Sequence, residues 1–214
     1  FSPRTRPRLH RSGQLTTNNG EIRFWSAGPD RVVSLEPFAI MGIVNATPDS
    51  FSDGGQFADA EEAAEFALAL VDEGAAIIDV GGESTRPGAA RVDAQTQIRR
   101  VVPVISRIRS RSNVAISVDT TQAAVAEAAL EAGADAVNDV SAGAEDPAMF
   151  RLVARKGAGL ILMHRLAAPG DDHYSDRHSE PPIYDDVVRE VASFLLARAE
   201  MAMAAGVERE CIAL

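Results

Sequence analysis

Cysteine, lysine and tryptophan each occur once in the 214 residues, as Cys211, Lys156 and Trp25. A single cysteine excludes an internal disulfide framework and a cysteine-based zinc site; that usage suits a reducing compartment, read here as the cytoplasm. Basic residues are outnumbered, 21 Lys and Arg against 31 Asp and Glu, for a formal net charge of -10. A surface of that sign does not neutralise phosphates, so nucleic acid is not an expected partner, and any anionic substrate must find a local positive site. Apolar runs are short, and none approaches the roughly 20 residues that cross a bilayer, so no membrane partner is expected either.

What is present is a chain with 46% hydrophobic residues, enough for one core in one domain. The opening stretch FSPRTRPRLHRSGQLTTNNG holds Arg4, Arg6, Arg8 and Arg11, no acid and little apolar content. It reads as the start of a flexible leader over 1–37; a transit peptide shares the composition, but no amphipathic pattern accompanies it. From Phe38 onward short apolar runs alternate with helical patterns. The runs are 38–45, 76–82, 114–119, 136–140, 159–164 and 211–214, each read as a strand buried on both faces. The first helix shows a stripe at Ala63, Phe66, Ala67, Leu70 and Val71, and Pro103 predicts that the second helix kinks or starts late. Strands separated by single helices imply a parallel sheet with right-handed crossovers. No G-x-G-x-x-G follows the first strand, which favours a (β/α)8 TIM-type barrel over 38–214 to a dinucleotide-binding open sheet. Six strands are visible where closure demands eight, so the barrel reads as truncated before its last strands.

Asn45, Asp79 with Glu83, Asp119, Asn138 with Asp139, and His164 all fall at or near the carboxyl ends of successive apolar runs, the rim on which parallel barrels gather their chemistry. Helix capping is the competing role, and it is favoured for Asp139 and Asp146. It is weaker for Asp119, because Thr120 and Thr121 already supply caps. Asp79 lies inside its strand and could equally orient a neighbouring loop. A carboxylate and a carboxamide on adjacent strands, as Asp119 and Asn138 would be, suit a flat heterocycle with amide-like donors and acceptors. Asn45 offers a neutral oxygen of the kind Mg2+ takes when substrate phosphates complete its shell. Two loops exceed what chain reversal needs. NATPDSFSDGG (45–55) adds Phe51 and a second aspartate, Asp53, and GGESTRPGA (81–89) adds Ser84, Thr85 and the anion-matching fork of Arg86. His173 and His178 lie in the long segment 165–182, read as a solvated surface loop, while His164 reads as a packed or backbone-bonded histidine.

The stretches IMGIVNATPDSFSDGG and IIDVGGESTRPGA, with SVDTT, VNDVSAG, LMH and YDDVVREV, resemble the dihydropteroate synthases of the pterin-binding (β/α)8 family. The resemblance implies condensation of 6-hydroxymethyl-7,8-dihydropterin diphosphate with 4-aminobenzoate, giving dihydropteroate and pyrophosphate in folate biosynthesis. It implies that Asn45 meets Mg2+ and the diphosphate, that Thr85, Asp119 and Asn138 contact the pterin, and that Met163 packs near its ring. Phe51 and Ser52 would line the substrate site, Asp53 would steady the metal and a cationic intermediate, and Arg86 would meet the departing oxygens. A pterin-binding methyltransferase shares the barrel and the Asp and Asn grip but has no use for a diphosphate loop. The family pattern continues past CIAL with Asp-Pro-Gly, Ser-Arg-Lys and Arg-x-His segments that residues 1–214 do not contain. The expectation is therefore that synthase activity belongs to a longer chain, a homodimer being compatible with it. A chain ending naturally at Leu214 would favour a non-catalytic pterin-binding protein.

Overall fold

A computed structural model describes residues 24–46, 56–84, 89–168 and 183–214. Six strands form one parallel sheet: β3 (Met41–Asn45), β4 (Ile77–Gly81), β5 (Ala115–Asp119), β6 (Ala136–Asp139), β7 (Gly159–Leu162) and β8 (Ile212–Ala213). Helices α1 (Gln56–Asp72), α2 (Ala94–Arg111), α3 (Ala123–Glu131), α4 (Met149–Lys156) and α5 (Val187–Ala204) fill the five intervals. The strands lie side by side in unbroken chain order from β3 to β8. A doubly wound sheet reverses its order part-way, whereas a barrel never does, so the barrel-type expectation holds. Among the described residues β3 and β8 do not pair with each other, and the sheet stays open between them. No described helix is long and apolar enough to cross a membrane.

Alternation along each strand divides the sheet into two faces. Val44, Ile78, Val80, Ile116, Val118 and Val137 turn outward and are buried against the helices. From α1 the buried positions are Ala60, Ala63, Ala64 and Ala67, small residues that let the helix lie close to the sheet. Phe66, expected on that stripe, is 46% exposed; it sits one position off the alanine face, and its size would hold the helix away. Helix α2 begins where Asp93 accepts from the Thr96 amide at 2.9 Å and runs unbroken through Pro103. It does not start late, because Pro103 lies off the fully buried face of Gln97, Val101, Val104, Ile105 and Ile108, where the carbonyl its ring frees can meet water.

The amino-terminal end of the sheet is closed by a hairpin, β1 (Phe24–Gly28) and β2 (Arg31–Ser34), joined through Pro29 and Asp30. Trp25, Ala27 and Val33 pack on Ile77, Ala115 and Ala136, the inward residues at the starts of β4, β5 and β6. The Trp25 indole donates to the Cys211 carbonyl at 3.0 Å, tying the plug to the entry of β8. This corrects the leader boundary at 37: the stretch 24–34 is part of the packed domain, while 1–23 lie outside the described residues. Gly159 is where the plug meets β7. A Cβ there would come within 2.8 Å of both the Ala27 carbonyl oxygen and the Trp25 ring. Gly159→Ala should cost about 2 kcal/mol by forcing the hairpin off the sheet, read as a lower urea midpoint with an unchanged slope; a wild-type midpoint would show that the plug yields freely.

Candidate pterin-binding site

With its lower end plugged by the hairpin, the inward face carries its polar groups at the carboxyl ends of the strands. There the strand register sets Asn45 beside Gly81, Gly81 beside Asp119, Asp119 beside Asn138, and Asn138 beside Ile161. All five lie on one row, and alternation turns that row inward. Gly81 leaves a gap in it: the position a Cβ would take lies 3.5 Å from Asn45 Oδ1 and 3.7 Å from Asp119 Oδ2. An amide oxygen and a carboxylate thus flank one opening. Its floor is a row beneath, where the buried Asp79 accepts from Ser117 Oγ at 2.5 Å and from Asn138 Nδ2 at 3.0 Å. By accepting from the Asn138 NH2, Asp79 turns that group downward and leaves the carbonyl oxygen for a ligand. The orienting role open to Asp79 is therefore directed at Asn138, a neighbour in the sheet.

Charge is crowded here. Burial pushes the Asp79 carboxyl up, against the pull of its Ser117 and Asn138 donors. Asp119 is pushed up to about 8, first by burial and then by the Asp79, Asp139 and Glu83 carboxylates, with the Arg165 guanidinium pulling the other way. Among the described residues neither carboxylate lies in a pair that cancels its charge, the condition in which a ligand's N–H groups are most strongly held.

Around the row runs a scaffold of polar bonds. Gln97, fully buried on α2, donates to Glu83 Oε2 at 2.9 Å and to the Val92 carbonyl at 3.0 Å, and accepts from Thr120 Oγ1 at 3.1 Å. One amide therefore joins the segments following β4 and β5 to α2. Glu145, in the segment after β6, accepts from Thr121 Oγ1 and from Arg91 Nη2, both at 2.7 Å, and pairs with Arg165, in the segment after β7. Burial raises the Glu145 carboxyl, but Thr121, Arg165 and Arg91 outweigh it and hold the group below the usual range.

Helix capping, expected of Asp139 and Asp146, is seen only at Asp146; Asp139 caps no described helix. Asp139 accepts from the Ser141 and Gly143 amides and from Ser141 Oγ, closing the turn after β6. Asp146 caps across elements, accepting from the Ala123 amide at the start of α3 as well as from Ala148. Thr120 accepts from the Gln122 amide instead of capping α3 directly. His164 packs edge to face on Phe194 at 5.0 Å between ring centres.

Of the expected site residues, Asn45, Asp119 and Asn138 meet on one row, and Met163, 42% exposed, lies two residues past Ile161 at the end of β7. Phe51, Ser52, Asp53, Thr85 and Arg86 lie outside the described residues. Among the described residues no group of three His, Cys, Asp or Glu is placed to hold an ion. Two residues escaped the sequence reading. Gln97 was hidden by its helix, its signal being a lone amide on an apolar face. Arg165 was absorbed into the presumed solvated loop 165–182, although it directly follows a strand-end histidine and its side chain is only 15% exposed.

A family model described as pterin binding enzyme matches residues 41–214, from the first residue of β3 to the end of β8 and beyond. The chain belongs to the pterin-binding enzyme family. It is 49% identical over 177 residues to the dihydropteroate synthase of Mycobacterium leprae, covering 82% of this chain and 60% of that one. Among solved structures it is similar to the Xanthomonas albilineans dihydropteroate synthase with 4-aminobenzoic acid (TM-score 0.77, 41% identity, 89% of this chain, 64% of that one). A second structure of that enzyme, in complex with 7,8-dihydropteroate, aligns with TM-score 0.72 and 36% identity over 88% of this chain and 63% of that one. The chain thus spans about three fifths of the length of these relatives.

Proposed function

We propose that the full-length protein is a dihydropteroate synthase, joining a pterin diphosphate to 4-aminobenzoate. The observation that carries this reading is the row Asn45, Gly81, Asp119, Asn138 at the open end of a plugged sheet. The relatives named as dihydropteroate synthases, and their structures with 4-aminobenzoic acid and 7,8-dihydropteroate, support it. In this reading Asp119 receives ring N–H groups of the pterin and Asn138, locked by Asp79, offers its carbonyl to a further donor. Met163 covers the ring edge. Asn45 Oδ1 would hold Mg2+ together with the substrate's diphosphate oxygens, a donor set that suits an ion needing only one or two protein oxygens; bound there, the ion supplies charge neutralisation on the diphosphate. Arg86 would add donors to the leaving oxygens, and Phe51, Ser52, Asp53 and Thr85 would cover the reacting centre. The bond from the pterin methylene to the diphosphate oxygen breaks, the aniline nitrogen forms the new C–N bond, and that nitrogen loses a proton. The cytoplasm is the proposed location, and a homodimer the proposed assembly at full length.

The test is calorimetric binding of 6-hydroxymethyl-7,8-dihydropterin diphosphate to the full-length protein with and without Mg2+. Magnesium should strengthen binding about tenfold or more, and Asn45→Ala should abolish that gain. A pterin site indifferent to both the diphosphate and the ion would point instead to the methyltransferase reading.

A further inference from the structure

The sequence motifs do not include Arg165, yet its guanidinium is one of the most constrained groups on the rim. It follows β7, the strand beside the one that carries Asn138. Nη2 pairs with Glu145 Oε1, and Glu145 cannot turn away, because Oε2 accepts from both Thr121 and Arg91. The fork is therefore held in one orientation. Nη1 is buried, and among the described residues it finds no hydrogen-bond partner. A buried donor left unmade is costly, and more so on a charged group. Every neighbouring polar group just described has partners, so the free donor is not a sign of loose packing.

The surroundings indicate what it awaits. Arg165 lines a narrow cleft of about 10 Å3, room for about one water, together with Glu83, Ser84, Asp119, Thr120 and Val140. Two carboxylates, Glu83 and Asp119, face the two guanidiniums of Arg91 and Arg165 there, and Glu145 stands behind them. Among the described residues these charges leave no net positive field to favour an anion over a neutral acceptor. Asp119, an acceptor in the same cleft, complements Arg165, a donor. A flat ring is too large for that cleft; lying on the inward row with its N–H groups toward Asp119 and an oxo oxygen or a bare ring nitrogen toward Arg165, it would satisfy both.

We propose that Arg165 is a substrate-binding residue whose Nη1 donates to a ring acceptor of the same heterocycle whose N–H groups Asp119 receives. The inference rests on the pterin reading above and adds the residue that selects for an acceptor on the ring. Glu145 then acts as a positioning residue, holding the donor in place.

The experiment uses the full-length protein and two probes in separate titrations, 6-hydroxymethyl-7,8-dihydropterin without its diphosphate, and inorganic pyrophosphate. Arg165→Met should weaken the dihydropterin about tenfold and leave pyrophosphate within about twofold. Arg165→Lys, which keeps a donor but loses the planar fork, should fall between wild type and Arg165→Met. Should Arg165→Met not fold, Arg165→Lys alone decides, an unchanged dihydropterin affinity overturning the proposal. Loss of pyrophosphate binding with the dihydropterin unaffected overturns it as well, in favour of an anion site. Asp119→Ala separates the two levels: if it leaves dihydropterin binding intact, the pterin reading fails; if it weakens binding while Arg165→Met does not, only the role of Arg165 fails.

Discussion

Replacing Asp119 by alanine weakens binding of the dihydropterin to the full-length protein at least tenfold, because each lost charge-assisted bond removes about 1.5–3 kcal/mol. The same position opposes stability when the site is empty. Asp119 is pushed up to about 8, far above the roughly 3.9 of an unfolded aspartate. Between those values the unfolded chain has released the proton and the folded one has kept it. Stability tied to the protonated carboxyl is thus complete below about pH 4 and drains away as pH rises to about 8. Asp119→Asn, which imitates the protonated form, should match the wild-type thermal midpoint near pH 4, rise progressively above it up to pH 8, and gain no more beyond. Dihydropterin affinity in the wild type should move in the opposite sense, strengthening severalfold between pH 7 and 8 as the carboxylate forms. A gap between the two proteins that is independent of pH would mean that Asp119 titrates normally and that its crowding by Asp79, Asp139 and Glu83 has no energetic consequence. The trade of stability for a preformed acceptor is what a binding site should show.

Asp135→Ala should be the most destabilising single change at the opposite end of the sheet. This carboxylate precedes β6 and gathers partners from three directions. Oδ2 accepts from Arg109 Nη2 at 2.6 Å and from the Ile116 amide at 2.9 Å, and Oδ1 accepts from Arg31 Nε at 3.4 Å. Arg31 in turn donates to the Asn113 carbonyl and so anchors the hairpin, while Arg109 donates to the carbonyls of Gly133, Ser112 and Val114. Without the carboxylate two guanidiniums confront each other in a partly buried place. Burial already holds Arg109 below the usual arginine range, with Asp135 the restoring charge. Removing one member of such a cluster costs about 3 kcal/mol, which for a domain of this size is a fall of about 6–12 °C in Tm. Because the cluster and the ligand row lie at opposite ends of the strands, dihydropterin affinity at 15 °C should be unchanged. A fall under about 1 kcal/mol would reduce the cluster to an ordinary surface pair.

The strands, their order and the end of the sheet that bears the chemistry were legible because each is a local signal. Apolar runs such as AIIDVGG and VAISVD declare buried strands, the single helices between them force parallel pairing, and polar residues ending successive runs must share a rim. The motifs of the first two loops carried the family as well. Other features depended on contacts between residues far apart in sequence. Phe66 looked like a core residue by spacing, yet only the close approach of α1 to the sheet decided that alanines would be buried and the ring left outside. The hairpin at 24–34 has few residues and a proline in its turn, and it is stable because Trp25 reaches Cys211, 186 positions away. Arg165 reads as one more charge in a polar loop until Glu145 and Arg91 are seen to pin it beside Asp119.

The sequence by itself therefore determined the alternation of elements and the identity of Asn45, Asp119 and Asn138 as rim residues, since both follow from periods of two and of 3.6 along the chain. Tertiary structure alone decided which side chains share a row, which amide face of Asn138 is turned to Asp79, and which carboxylate pins the Arg165 guanidinium. Those outcomes depend on strand register and burial, which arise only when segments distant in sequence exclude water from one another.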